Sequence, residues 1–295
     1  MPPAERLQAP RVSDATALRA ERLRDDPIAV RGRLTNASNV TLVADLGAGE
    51  DALEVVYKPT SGTRSLWDFD APSLARHEVA TYEVAAGAAA VAARELGDGS
   101  PLDDSASTPL VPLTVFRPDG PFGEGSVQAW IDVAEGADEL VTVVTEDELR
   151  EGWLVVFEAY DQLDRDVYVV HADDRRLRRM TLLDEITNNA DRKGQHVLSG
   201  RDGAVYGVDH GLCFHPEPKL RTVLWGWAGT EYDDADVAWL RALDESVHDL
   251  AAAALAELLP RREIGALQQR LARAASRGSF REPPRGRSAL PWPPL

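Results

Sequence analysis

Three strand-like runs open the patterned part of the chain: IAVRGRL (28–34), VTLVADL (40–46) and ALEVVYK (52–58). TNAS joins the first two and the turn-rich GAGED the second pair, which predicts an antiparallel meander. Before them, SDATALRAERLRD (13–25) has helical spacing and a serine suited to its N-cap. After them, SLARHEVATYEVAAGAAAVAARELG carries an apolar stripe at helical period, predicting one long Ala-rich helix. VPLTVF (111–116) and GSVQAWI (125–131) read as two further strands around RPDGPFGEG. From about Glu146 the pattern reads as helix, through ELREGWLVVFEAYDQL and on to LRRMTLLDEITNNAD. Two short strands, QHVLS (195–199) and AVYGVD (204–209), flank GRDG, and the chain beyond Tyr232 reads as mostly helix, broken at Pro260.

A sheet-rich first half with one helix, followed by a helical second half, predicts an α+β, bilobed layout with its joint near residues 130–140. The expected division is a helical extension (1–27), a nucleotide-lobe-sized unit (28–132), a second lobe (133–260) and an Arg/Pro-rich C-terminal helix and tail (261–295).

Composition narrows the classes. At 295 residues and 44% hydrophobic, the chain can bury a substantial core. It holds no run of about 20 apolar residues for a membrane span, its start lacks the apolar stretch of a secretory signal, and Cys213 has no second cysteine to pair with. A cytoplasmic protein without integral membrane contact is the expectation. The net charge of −17 disfavours nucleic acid and anionic lipid as partners. The exception is the stretch from Arg261 to Leu295, with eight arginines against two glutamates; it reads as a solvated helix with a flexible end, or as a membrane contact.

The rarest residues carry the chemistry. Against 29 arginines there are three lysines (Lys58, Lys193, Lys219), so a lysine points to a task for a compact point charge, such as holding a phosphate. Lys58 ends the strand VVYKP, and the following helix offers Glu78, or alternatively Glu83, to pair with it. In NNADRKGQHVL, Asp191 stands between a helix and a short strand, where it could accept a hydroxyl proton; Arg192 and Lys193 beside it could offset phosphate charge. His196 is a candidate metal ligand or an ordinary strand-face histidine. In GVDHGL, Asp209 at a strand end beside a glycine suits a hard cation such as Mg²⁺.

In this order, VVYKP, GSVQAWI, DRKGQHVL, VYGVDHGLCF and VLWGW resemble the type II phosphatidylinositol 4-kinases, and a group of actinobacterial proteins described as phosphatidylinositol 3/4-kinase-related, over roughly residues 30–230. The resemblance implies a protein-kinase-like fold with a β-rich N-lobe and a mainly helical C-lobe, binding ATP with Mg²⁺ or Mn²⁺. It implies that Lys58 contacts the phosphates and pairs with Glu78, and that Gln128, Ala129, Trp130 and Ile131 line the adenine pocket. Asn36, Ala37, Ser38 and Asn39 would cover the phosphates, Asp191 would be the base, and Asp209 with His196 the metal ligands. Three departures accompany it. His196 replaces the family's asparagine and is a poor Mg²⁺ ligand, no G-x-G-x-x-G loop exists, and cations for an inositol-phosphate headgroup are few. These features favour a kinase acting on a protein or a small polar metabolite. The alternatives are a nucleotide-binding pseudokinase, a phosphoinositide kinase or an AMP-transferase.

Overall fold

In strand β3 (Leu53–Pro59), Val55 and Tyr57 are buried, whereas Val56 and Lys58 on the alternate face are partly exposed. That period of two determines which side of the sheet becomes core and which becomes cleft. A computed structural model describes residues 12–34, 39–63, 68–135, 139–161 and 163–295. Helix α1 (Val12–Asp25) precedes a five-stranded antiparallel sheet of order β1-β2-β3-β5-β4, with β1 at Ile28–Arg33, β2 at Leu42–Leu46, β4 at Thr114–Gly120 and β5 at Gly123–Ala129. The predicted meander is present.

Helix α1 begins at Val12, so Ser13 lies inside its first turn rather than before it. Nor is α1 a separate extension: Leu23 is fully buried among Leu42, Leu46 and Val127, and the Arg117 guanidinium donates to the carbonyls of Leu23 and Asp26. Arg117 thereby caps the helix end that offers free carbonyls.

Helix α2 (Leu74–Glu95) is the Ala-rich helix expected. Its apolar residues belong to the core of the second half, joining Leu182, Trp239 and Leu243. Small residues allow this close approach. A Cβ at Gly87 would meet Ser246 Oγ at 2.1 Å, and Ser246 donates to the Val84 carbonyl.

The helix expected from Glu146 does not form. Instead β6 (Val141–Val144), β7 (Trp153–Tyr160) and β8 (Asp166–Ala172) make a three-stranded antiparallel sheet of order β6-β8-β7. WLVVFEAY and DVYVVHA are rich in β-branched and aromatic residues, which fit a pleated surface better than a helix. The intervening turn closes on Asp161, whose carboxylate accepts from the N–H groups of Leu163 and Arg165.

The remainder is mainly helical, as expected: α3 (Arg175–Thr187), the hairpin of β9 (Val197–Ser199) and β10 (Val205–Gly207), α4 (Asp234–Glu245), a π turn (Ser246–Leu250), α5 (Ala252–Leu258) and α6 (Arg261–Arg277). The stretch from residue 261 is neither solvated throughout nor free at its end. Leu267, Leu271, Ala274 and Phe280 are buried in the same core as α3 and α4. Ala289 accepts from Thr222 N–H and Trp225 Nε1, and Pro294 accepts from Gly194 N–H at 2.9 Å.

Candidate active site

Lys58 projects from the cleft face of β3 beneath α2. Its ammonium pairs with the buried Glu78 carboxylate and, at 3.0 Å, with Asp209 Oδ1. Glu83 lies five residues further along α2, near 140° away around the helix axis on about 100° per residue, and forms no salt bridge to a lysine among the described residues. Burial alone would depress the lysine, but the Asp209 and Glu78 carboxylates outweigh it and hold the ammonium above the ordinary range. Reciprocally, Lys58 is the main cause holding Asp209 far below the usual carboxylate range. Glu78 is oriented through its second oxygen, which accepts the His210 N–H at 3.0 Å.

The sheet backbones approach closely at this point. A Cβ at Gly125 would lie 2.3 Å from the Lys58 carbonyl, so β5 can lie against β3 there only as glycine.

Asp191 and Asp209 stand on either side of the β9–β10 hairpin, and backbone bonds zip the two loops together: Ala190 N–H to Leu212 O, Val208 N–H to His196 O, Val223 N–H to Arg192 O. Asp209 adopts φ +60, the left-handed region that costs roughly 1–3 kcal/mol for a non-glycine residue. Asp191 is half-buried. Its carboxyl is raised by burial, opposed by Lys193, whose Nζ lies 3.2 Å away.

His196 is buried and donates from Nδ1 to the Asp191 carbonyl at 2.9 Å, because a carbonyl can only accept. Burial lowers it to about 4, so the ring is neutral and Nε2 carries a lone pair, 3.5 Å from Asp209 Oδ2. Two acceptors facing each other at that distance fit a divalent cation between or beside them. An imidazole and one carboxylate suit Mn²⁺ better than Mg²⁺. Among the described residues no group of three or more His, Cys, Asp or Glu gathers as a metal site, so the remaining ligands would be phosphate oxygens or water.

Arg192 does not reach the cleft, contrary to the expectation that it offsets phosphate charge. It is fully buried, forked onto Asp184 at 2.8 and 2.9 Å, and its remaining donors go to the carbonyls of His196 and Val208 and to His210 Nε2. Asn189 donates to the same Asp184, and Asn188 ends α3 in the left-handed region with its amide bonded to His215 O, Glu217 O and the N–H groups of Lys219 and Leu220. Sequence reading passed over Asp184; an acidic residue inside the apolar stripe LLDEI was its only signal.

A cavity of about 420 Å³ opens between the lobes, walled by Gln128, Ala129, Trp130 and Ile131, with Val56, Val208 and Leu198 supplying apolar surface and Lys58, Lys193, His196 and Asp209 at its polar end. The Gln128 amide is fixed by donating to Thr114 Oγ1. Beyond Lys58 lies a second cavity of about 280 Å³, bounded by Asp191, Glu78, Asp209, Ser126 and Asn39. Asn36, Ala37 and Ser38 lie outside the described residues.

The arrangement defines a protein-kinase-like, bilobed fold with a nucleotide-sized cleft at the lobe junction. In fold it is similar to the Golgi casein kinase, seen in a crystal structure with Mn and ADP bound: the TM-score is 0.50 at 15% sequence identity, over 90% of this chain and 76% of that one. No protein-family model matches the chain. In sequence it is 42% identical over 280 residues to protein Rv2133c of Mycobacterium tuberculosis (strain ATCC 25618 / H37Rv), spanning 92% of this chain and 93% of that protein. The chain belongs to the family of that protein.

Proposed function

We propose that the protein is an ATP-dependent phosphotransferase of the phosphatidylinositol 3/4-kinase-like type, acting on a protein or a small polar metabolite. One observation carries the reading: Lys58 is bracketed by Glu78 and Asp209 at the polar end of a cleft that Asp191 also borders. Adenine would occupy the 420 Å³ cavity against Ala129–Ile131, with the phosphates directed towards Lys58. Glu78 keeps the ammonium aimed, and Asp209 with His196 would hold Mn²⁺ or Mg²⁺. When bound, that cation supplies neutralising charge to the phosphate oxygens. Asp191 accepts the proton of the acceptor hydroxyl as its oxygen bonds to the γ-phosphorus and the bond to the β–γ bridging oxygen breaks, releasing ADP. Its raised carboxyl is better matched to that task than an ordinary aspartate.

Transfer of label from γ-labelled ATP, stronger with Mn²⁺ than with Mg²⁺, is the expected result. Asp191→Ala should abolish transfer while retaining ATP binding, and Asp209→Ala should lose transfer and metal-dependent binding together. Label arriving from α- but not γ-labelled ATP would instead mean AMP transfer. Tight nucleotide binding with no turnover under either metal would leave a nucleotide-sensing module.

A further inference from the structure

A second polar cleft lies away from Lys58 and Asp209, between α6 and the segment after Phe214. It has a volume of about 710 Å³ and is lined by Arg270, Arg273, Arg277 and Arg281, with Glu185 and Glu282 as its carboxylates. In a chain of net charge −17, four guanidiniums on one concave surface are a local reversal of sign. One of them is neutralised: Arg277 pairs with Glu185 at 2.8 Å and also donates to Tyr232. Among the described residues, Arg273 and Arg281 make no ion pair.

Arg270 is the decisive member. It is 5% exposed, its Nε donates to the Ile186 carbonyl and its Nη1 to the His215 carbonyl, and its Nη2 is buried with no hydrogen-bond partner. A buried cationic N–H without an acceptor is costly, because the group keeps its desolvation penalty with nothing to offset it. Its uncompensated charge favours an anion nearby, and the more accessible Arg273 and Arg281 carry planar forks that match phosphate oxygens bidentately. Burial and the neighbouring Arg273 lower Arg270 to about 10 against the pull of Glu263, and burial with Arg287, Arg277 and Arg273 lowers Arg281 against the pull of Glu185.

We infer that this cleft is an anion site for a small soluble phosphate ester, independent of the nucleotide site. The cleft is several times larger than a phosphate group, and the exposed Pro216 and Pro218 provide apolar surface for the body of the ligand. Its concavity, and the acidity of the rest of the chain, favour a discrete ligand over an anionic membrane. Since Arg270 ties α6 to the carbonyls of Ile186 and His215, the ligand would sit against the support of the loop that carries Asp191.

The test uses the full chain at constant ionic strength, titrated with inorganic phosphate and with phosphoserine while thermal unfolding is followed. A saturable rise in Tm is expected with both, absent with chloride and not competed by ADP–Mn²⁺. Arg273→Gln and Arg281→Gln should each weaken apparent phosphate affinity by about tenfold, the loss of one charge-assisted contact, while the ADP–Mn²⁺ shift stays unchanged. Asp209→Asn should do the reverse. A phosphate shift unaltered in the double arginine variant, or displaced by ADP, would overturn the inference. So would arginine-dependent sedimentation with vesicles containing phosphatidylinositol phosphate in the absence of any phosphate-induced shift.

Discussion

At the scale of single residues, the cleft separates the groups proposed to do chemistry from groups that hold them still. Asp191 and Asp209 retain solvent access, whereas Asp184 and Arg192 are fully buried and bonded to each other at 2.8 Å. Removing one member of a buried ion pair leaves an uncompensated charge, worth about 3–5 kcal/mol. Asp184→Ala should therefore lower the unfolding free energy read from urea denaturation by that order and take activity down with it. Asp191→Asn should abolish transfer with the unfolding free energy changed by less than about 1 kcal/mol. Equal values for the two variants would contradict the division. The sequence made Lys58, Asp191 and Asp209 visible because each stands beside a turn in a recognisable order. It could not show where Arg192 points, since a guanidinium next to a candidate base faces substrate or core according to a partner eight residues away on α3.

Elements repeat this lesson. Helices α2, α3 and α6 and the first five strands were legible, because long apolar stripes and short β-branched runs between turns each have one period. The sheet of β6, β7 and β8 was not: ELREGWLVVFEAYDQL has enough charged and helix-compatible residues to imitate a helix, and pairing across a hairpin outweighs local propensity. What fixes that sheet to the lobe is the WGW segment. Trp227 stacks on His171 at 4.3 Å and donates to Asp173, and a Cβ on Gly226 would meet both His171 Nε2 and Leu154 Cβ at 2.5 Å. Gly226→Ala should thus cost about 1–3 kcal/mol by overpacking, read as a fall in Tm. An alanine tolerated without loss would show that the sheet and the WGW segment separate freely. The tail was misread for a related reason: PWPPL looks like a linker in composition, yet its Pro294 carbonyl accepts from Gly194 N–H in the loop that carries Asp191. Truncation after Ser288 removes the acceptors at Ala289 and Pro294 and should lower Tm, with the loss concentrated in hydrogen-exchange protection of residues 192–195 and 222–225.

For the whole molecule, α2 touches β4 and β5 of the first sheet while its apolar residues join the helical core, so it links the two sides of the cleft. Protonation offers a direct way to measure the stability of the whole. His171 lies at the junction of the three-stranded sheet with the C-lobe core, fully buried. Its Nδ1–H donates to the Ala172 carbonyl at 2.9 Å, and its Nε2 accepts from Gly226 N–H at 3.0 Å. Both nitrogens are used by the neutral ring, and burial lowers the group to about 4. The unfolded chain would protonate this histidine near its ordinary value of about 6.5. Between those two values the unfolded state binds the proton and the folded state refuses it, so stability is fully present above pH 6.5 and falls as the pH drops towards 4. The expected loss from this residue is about 2 kcal/mol by pH 5 and about 3 kcal/mol below pH 4. Because the acidic surface sheds self-repulsion over the same range, the comparison must be internal. Urea unfolding of the wild type and of His171→Gln, measured at pH 8 and at pH 5, should show the gap between them shrinking by about 2 kcal/mol on acidification. A gap that stays constant would mean that His171 takes up its proton within the folded protein, and that the sheet it anchors opens independently of the core.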